Sequence, residues 1–321
     1  MKKLQALFCA LLVCTLLLSG LPRTASAAYP DRPVTIIIPF GPGGAVDIAA
    51  RILAEYFQNK HQITLNIVCK AGGAGAPAML DVAKARPDGY TFGFPAIATF
   101  STTPQIKKTG YTLADFRAVV QVTNMWLSLA GNADSGIKTI NELMAAASGK
   151  PRKVQLYPRS PSPQRLFMSR LLKAFPGVDL PMSATPAAEV STALLGRHVT
   201  SGFGVTTNQK PYVAFRRFHR DRVSSPERLA EFPDVPTFAE QIGPEYTFAS
   251  SHGLVAPKRV PEDRILTMQN LVKEALADPD VSAKFAKAGL TTDYLSAEDF
   301  QKALDNMWKT IGDIMRENKF N

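Results

Sequence analysis

Two short stretches carry most of the chemistry this sequence offers. Pro39–Asp47, "PFGPGGAVD", sets three glycines and two prolines between a β-branched run and a helical pattern. Lys70–Ala78, "KAGGAGAPA", repeats the arrangement between another strand and another helix. Glycine lets a backbone approach a second molecule closely, and a helix N-terminus offers unpaired N–H groups carrying partial positive charge. Both stretches are therefore suited to receiving an anion. A carboxylate set against the amides of Gly43, Gly44 and Ala45 gains charge-assisted hydrogen bonds of roughly 1.5–3 kcal/mol each before desolvation is subtracted. Neither stretch is a nucleotide motif: "GPGGAV" lacks the third glycine of a dinucleotide fingerprint, and no Gly-Lys-Ser/Thr follows for a phosphate loop. A tight structural turn is the plain alternative for each.

Asp47 admits two readings, a cap on the helix that follows or a contact to the distal group of a ligand. Capping is favoured, because a bare carboxylate repels an anion placed beside it. "YPRSPSPQR", Tyr157–Arg165, is stiffened by three prolines and presents Arg159, Ser160, Ser162 and Arg165 as donors. An arginine there would grip a distal acid group, and a solvated connection is the equal rival. Catalytic groupings are thin. His61, His198, His219 and His252 are scattered without metal-ligand spacing, and no Gly-x-Ser-x-Gly elbow occurs. No cofactor, no metal and no enzymatic activity are expected; among the histidines only His252, in "SSHGLVAP", stands out, where the chain should return to the first domain through the hinge.

These turns need elements to hold them. Strand patterns "VTIIIP", "ITLNIV" and "YTFGF" alternate with helical patterns over Ile48–Asn59 and Pro77–Lys84, which implies a parallel sheet covered by helices. In such a sheet both turns fall beyond the carboxyl ends of the strands, where ligands bind. The middle of the chain restarts the α/β style with strands "WLSLA", "KVQLY" and "VTSGF" and helices over Ile140–Ala147, Gln164–Lys173 and Glu189–Leu195. Thr139 with Glu142 forms a capping box. The end is helical, over Pro261–Ala277, Pro279–Ala288 and Ala297–Glu317. Phe300, Leu304, Met307, Trp308, Ile311, Ile314 and Met315 make one apolar stripe on the last helix, a core face.

At 321 residues the chain is long enough for two modest domains. Lys2 and Lys3 precede an apolar run from Leu4 to Leu18, and the small-residue stretch "ASAA" follows, the pattern of a secretory signal peptide cut after Ala27. Residues 1–27 are thus assigned to export. Cys9 and Cys14 leave with that segment, so Cys69 stands alone and no internal disulfide is possible. Losing Lys2, Lys3 and Arg23 lowers the formal charge from +10 to +7. A basic exported protein suits anionic small molecules, and export disfavours nucleic acid. The densest basic cluster, Arg216–Arg222, reads as a solvated face.

Five collinear stretches, "YPDRPVTIIIPFGPGGAVDIAARILAE", "ARPDGYTF", "NADSGIKTINELMAAA", "FPDVPTFAEQ" and "GLVAPKRVPEDRI", resemble the periplasmic solute-binding proteins of tripartite tricarboxylate transporters, the Bug family. The resemblance is weaker in the middle, where "YPRSPSPQR" replaces a Gly- and Ser-rich loop. It implies an α/β, two-domain periplasmic-binding-protein fold of the type II, flytrap kind, with a mostly parallel sheet flanked by helices in each domain. Domain 1 would comprise residues 28–125 plus 250–321, and domain 2, inserted, residues 126–249. The implied function is capture of a small carboxylated solute by hinge closure in the periplasm, as a monomer, for membrane transporter subunits. A sensor protein is the alternative partner, and an enzyme acting on a carboxylate through His252 or Asp47 a weaker rival. A docking protein using the basic cluster is a further one. The expected ligand-binding residues are Phe40, Gly43, Gly44, Ala45, Asp47, Gly73, Ala74, Gly75, Ala96, Ile97, Arg159, Ser160, Ser162 and Gly204.

Overall fold

The first three strands are short and β-branched or aromatic, and each runs into a helix. β1 (Val34–Ile38) leads to α1 (Ala45–His61), β2 (Leu65–Cys69) to α2 (Ala76–Lys84), and β3 (Thr91–Gly93) to α3 (Ile97–Ile106). β4 (Phe116–Asn132) follows as one strand of 17 residues. Then come α4 (Ile140–Gly149), α5 (Pro163–Leu171), α6 (Val190–Leu195), β5 (Ser201–Val205), β6 (Phe218–Val223) and α7 (Phe238–Ile242). β7 (Ala249–Pro257), α8 (Glu262–Ala277), α9 (Pro279–Lys287), β8 (Thr291–Leu295) and α10 (Ala297–Asn318) complete the chain. The structure, a computed structural model, describes residues 29–136, 139–149, 163–178, 190–206, 218–229 and 232–318. The signal segment 1–27 and the strand expected at "KVQLY" lie outside those residues. The compact unit spans Arg32–Asn321.

The sheet is mixed. β1 pairs in parallel with β2 on one side and β3 on the other, as the alternation predicts. β7 then joins β3 antiparallel, and β4 joins β7 antiparallel from Phe116↔Pro257 to Trp126↔Ala249, with two register shifts. β8 takes the other edge of β4 at Gln121–Asn124. Farther along, the same strand is flanked by β5 and β6, both antiparallel.

Side-chain alternation in the strands sorts the core. Val34, Ile36 and Ile38 of β1 face one cluster with Leu53 and Phe57 of α1, Ile265 and Met268 of α8, and Phe285 of α9. Ile37 faces the opposite cluster with Met79 of α2, Phe100 of α3, and Phe300 and Leu304 of α10. A third cluster gathers Leu127 and Leu129 of β4 with Leu143, Phe167, Phe203, Phe238 and Phe248. There Phe167 packs against Phe238 and Phe203 at ring-centroid distances of 5.1 and 5.7 Å. Each such buried side chain is worth roughly 1.5–3 kcal/mol of transfer free energy. Met307 of α10 touches both the second and the third cluster, so the apolar stripe on the last helix spans two cores.

Between the cores, β4 and β7 cross through a band of buried polar residues: Thr123, Asn124, Ser250, Ser251 and His252. Ser251 Oγ donates to Asn124 Oδ1 at 2.9 Å, so the band satisfies its own polar groups in part. Gly253 is required there: a Cβ would lie 2.4 Å from the Phe300 ring and 2.5 Å from the Val120 carbonyl oxygen. The capping box at Thr139 and Glu142 forms as its spacing predicts, with reciprocal bonds of 3.1 and 3.2 Å.

Candidate functional site

Three helices begin side by side, each at the carboxyl end of one of the three neighbouring parallel strands. Their N-cap residues are Gly44, Gly75 and Ala96, and none supplies a side-chain cap. Among the described residues no side chain therefore caps the first-turn N–H groups along this edge of the sheet, although in α2 Ala76 N–H already bonds the Gly73 carbonyl and Pro77 has no N–H to offer.

In the first turn Gly43 takes φ +78 and reverses the chain. Asp47, on the first turn of α1, is 3 % exposed and closes the bend: Gly43 N–H donates to its Oδ2 at 2.8 Å. Arg51 Nε donates to Oδ1 and Oδ2 at 2.9 and 3.0 Å, and the Cys69 thiol donates to Oδ1 at 3.4 Å. Burial pushes the Asp47 carboxyl up, but the bonds from Arg51, Gly43 and Cys69 outweigh it and hold the group below the usual carboxylate range. Asp47 is therefore a cap, and the distal-contact reading gives way. The Gly43 amide is likewise engaged inside the protein, which leaves the amides of exposed Gly44 and half-buried Ala45 as the candidates of this turn. With Arg51 beside it, the Asp47 charge is neutralised locally and does not repel an anion at the helix end. Burial first, and then Asp47, raise the Cys69 thiol, which stays protonated and unreactive.

The second turn is built on four consecutive positive φ angles, at Gly72, Gly73, Ala74 and Gly75. Gly75 lies against Pro39, where an added Cβ would come within 2.9 Å of the proline Cβ, so the two turns touch. Phe40, Ala74, Gly75 and Ala96 meet around one small hollow with Pro39, Met79, Pro95, Phe100 and Tyr111. Its volume of about 10 Å³ holds no organic acid. It is packing beneath the turns. Ile97 is 3 % exposed and belongs to the core, so its side chain is no contact and only its backbone stays a candidate. Gly204 is buried in β5 opposite Ser128. Arg159, Ser160 and Ser162 lie outside the described residues.

His252 forms part of the floor. Its backbone bridges Ala96, and its ring stands edge-on to Phe40 at 6.4 Å and meets Thr123 Oγ1 through Nδ1 at 3.4 Å. Desolvation lowers its pKa to about 4, so the imidazole is neutral near pH 7. Thr103 and Lys107, which sequence reasoning passed over, bond the carbonyls of Ala74 and Gly73 from α3 and its C-cap. Pro104 and the run of threonines hid that helix, although the third strand-to-helix step signalled its place. A wide groove of about 1070 Å³, lined by Arg117, Lys258, Glu262, Gln301, Lys302 and Trp308 among others, shares no residue with the turns. It mixes both signs of charge.

The model of the tripartite tricarboxylate transporter family receptor, TctC, matches residues 49–320. The chain belongs to this receptor family. The TctC match covers all of α2, α3 and the β4–β7 crossing, and it begins inside α1. A UPF0065 protein from the tcbD-tcbE intergenic region of Pseudomonas sp. (strain P51) is 30 % identical over 275 residues, covering 83 % of this chain and 80 % of that one. The solved periplasmic binding protein BugD is 26 % identical with a TM-score of 0.74, over 90 % of this chain and 98 % of its own. Rpa4515 of R. palustris, solved with adipate, shares the fold at a TM-score of 0.77 and 23 % identity, over 90 % of this chain and 97 % of that one. The TctC receptor fold is thus an α/β periplasmic-binding-protein fold, here with a mixed sheet flanked by helices.

Proposed function

We propose that this receptor captures a small organic acid in the periplasm and presents it to the membrane subunits of a tripartite transporter. The observation that carries the reading is the row of three uncapped helix N-termini at the ends of adjacent parallel strands, joined by the Gly75–Pro39 contact. Helix-end amides that no side chain caps suit a carboxylate, and they need no buried arginine. The adipate held by Rpa4515 agrees with that ligand class. Capture without conversion fits the site: Asp47 is held by internal bonds and His252 is buried and neutral.

In this reading the chain forms two lobes, residues 28–125 with 250–321 and residues 126–249. Separate core clusters on either side of the β4–β7 crossing support it. A solute touching both lobes binds the closed form better and so drives closure. Export removes residues 1–27, and the protein isolated from the periplasm should begin at Ala28 by N-terminal sequencing.

The test is a thermal-shift screen of the exported form against carboxylates, adipate included. A binder at about a hundred times its dissociation constant should stabilise the folded state by roughly 2.7 kcal/mol. Gly44→Val is the informative variant, because Gly44 has an extended φ of −77 and an added Cβ would sit 3.5 Å from its nearest neighbour, the Gly41 oxygen. The fold tolerates it, while the new side chain covers the first-turn amides. The thermal response should vanish with the circular dichroism spectrum unchanged; a retained response would remove this turn from the site.

A further inference from the structure

The left-handed run Gly72–Gly75 raises the question of what holds it. Ala74 is the costly member, since φ +53 crowds its Cβ against its own backbone. Two side chains of α3 and its C-cap grasp the run from one side. Thr103, buried, donates to the Ala74 carbonyl at 3.3 Å, and Lys107, exposed, donates to the Gly73 carbonyl at 2.6 Å. The Gly73 carbonyl also accepts from Ala76 N–H, which fixes its direction. Among the described residues Lys107 pairs with no carboxylate, so its charge is directed at this peptide group alone.

The two peptide planes have different fates. Gly75 N–H, opposite the Ala74 carbonyl, returns to Gly72 O at 2.9 Å and is closed internally. Ala74 N–H belongs to the trans peptide whose carbonyl Lys107 holds, and in a planar trans peptide N–H and C=O point in opposite directions. Drawing the carbonyl toward Lys107 therefore aims Ala74 N–H away from α3. No acceptor among the described residues meets that N–H.

We infer that Lys107 is a positioning residue of the anion site, acting on the ligand through a single peptide group. Together with Ala76 N–H its ammonium holds the plane of the Gly73–Ala74 amide, and its charge polarises that amide, since hydrogen bonds in a chain strengthen one another. The Ala74 N–H is thereby a stronger donor to a carboxylate that the ammonium never touches. The role rests on the reading of this turn as an anion seat, and it places the lysine outside the set of direct contacts.

Two measurements on the exported form separate the role from that reading. In ligand-free protein labelled with nitrogen-15, Lys107→Met should move the Ala74 amide proton upfield, Lys107→Gln should move it part of the way, and Lys107→Arg should restore it. Calorimetric titration with adipate should give a dissociation constant about tenfold weaker for Lys107→Met, recovered by Lys107→Arg, with the melting temperature of the free protein unchanged. Lys108→Met, one residue along, should leave the affinity as it was. An unmoved Ala74 resonance in Lys107→Met, or an equal loss in Lys108→Met, overturns the inference. Should the wild-type protein bind neither adipate nor any other carboxylate, the anion-seat reading falls on its own, while the Ala74 resonance still decides what Lys107 does.

Discussion

Asp47 and His252 are buried ionisable groups within the same framework, and acid acts on them in succession. His252 has its pKa lowered to about 4 from an ordinary 6.5, so the unfolded chain binds its proton first as the pH falls. Stability from this residue is complete above 6.5 and is lost on descent toward 4, by on the order of 3 kcal/mol. Asp47 is also lowered, and its contribution persists above the usual carboxylate range and disappears as the pH falls through its depressed value. Urea unfolding across the acid range should therefore show a first decline that His252→Gln removes and a second that Asp47→Asn removes. If His252→Gln leaves the first decline intact, the imidazole is not its source. At neutral pH Asp47→Asn should cost roughly 1–3 kcal/mol, because the buried oxygens lose their charge-assisted bonds to Arg51 and Gly43. At this scale the sequence was informative about Asp47, whose spacing from the glycines signals a cap. It singled out His252 among the histidines but not its surroundings, because Phe40, Ala96 and Thr123 come from three different strands or turns.

The elements divide along the same line. Helices α1, α8, α9 and α10 follow their apolar spacing closely, and Ser296 caps α10 by accepting from Asp299 N–H at 3.2 Å, as its position predicts. β4 is the case that pattern reading cut short. Only Trp126–Ala130 carried a strand signal, whereas Gln121, Thr123 and Asn124 interrupt the apolar run and yet are buried. Their partners are remote: Asp293 for Gln121, His252 for Thr123 and Ser251 for Asn124. A polar side chain satisfied across more than a hundred residues leaves no local trace. Where β7 passes under α10 the fit is tight enough to test. Gly253→Ala forces a methyl into the Phe300 ring and the Val120 carbonyl and should cost 1–3 kcal/mol or more by the usual scale of overpacking, roughly, with Phe300→Leu relieving part of it. Equal stability of Gly253→Ala and wild type by urea unfolding would show that α10 yields.

For the whole molecule, closure around a bound acid should reduce the radius of gyration measured by small-angle scattering when the best ligand from the screen is added, and Gly44→Val should abolish the change. An unaltered radius with a proven binder would count against hinged capture. The three strand-to-helix steps were legible because their parts are short and sequential, strand to turn to helix, three times over. The antiparallel return of β7 and β4 was not, since it joins residues more than a hundred positions apart. β4 carries a further consequence. One uninterrupted strand supplies ladder partners to β7 and β8 at its start and to β5 and β6 at its end. Because side chains alternate along it, a slip of one residue anywhere would turn out the core faces of both halves together. Chimeras between homologous receptors that splice inside residues 116–132 should therefore misfold, while those that inherit the strand whole from a single parent can exchange the rest.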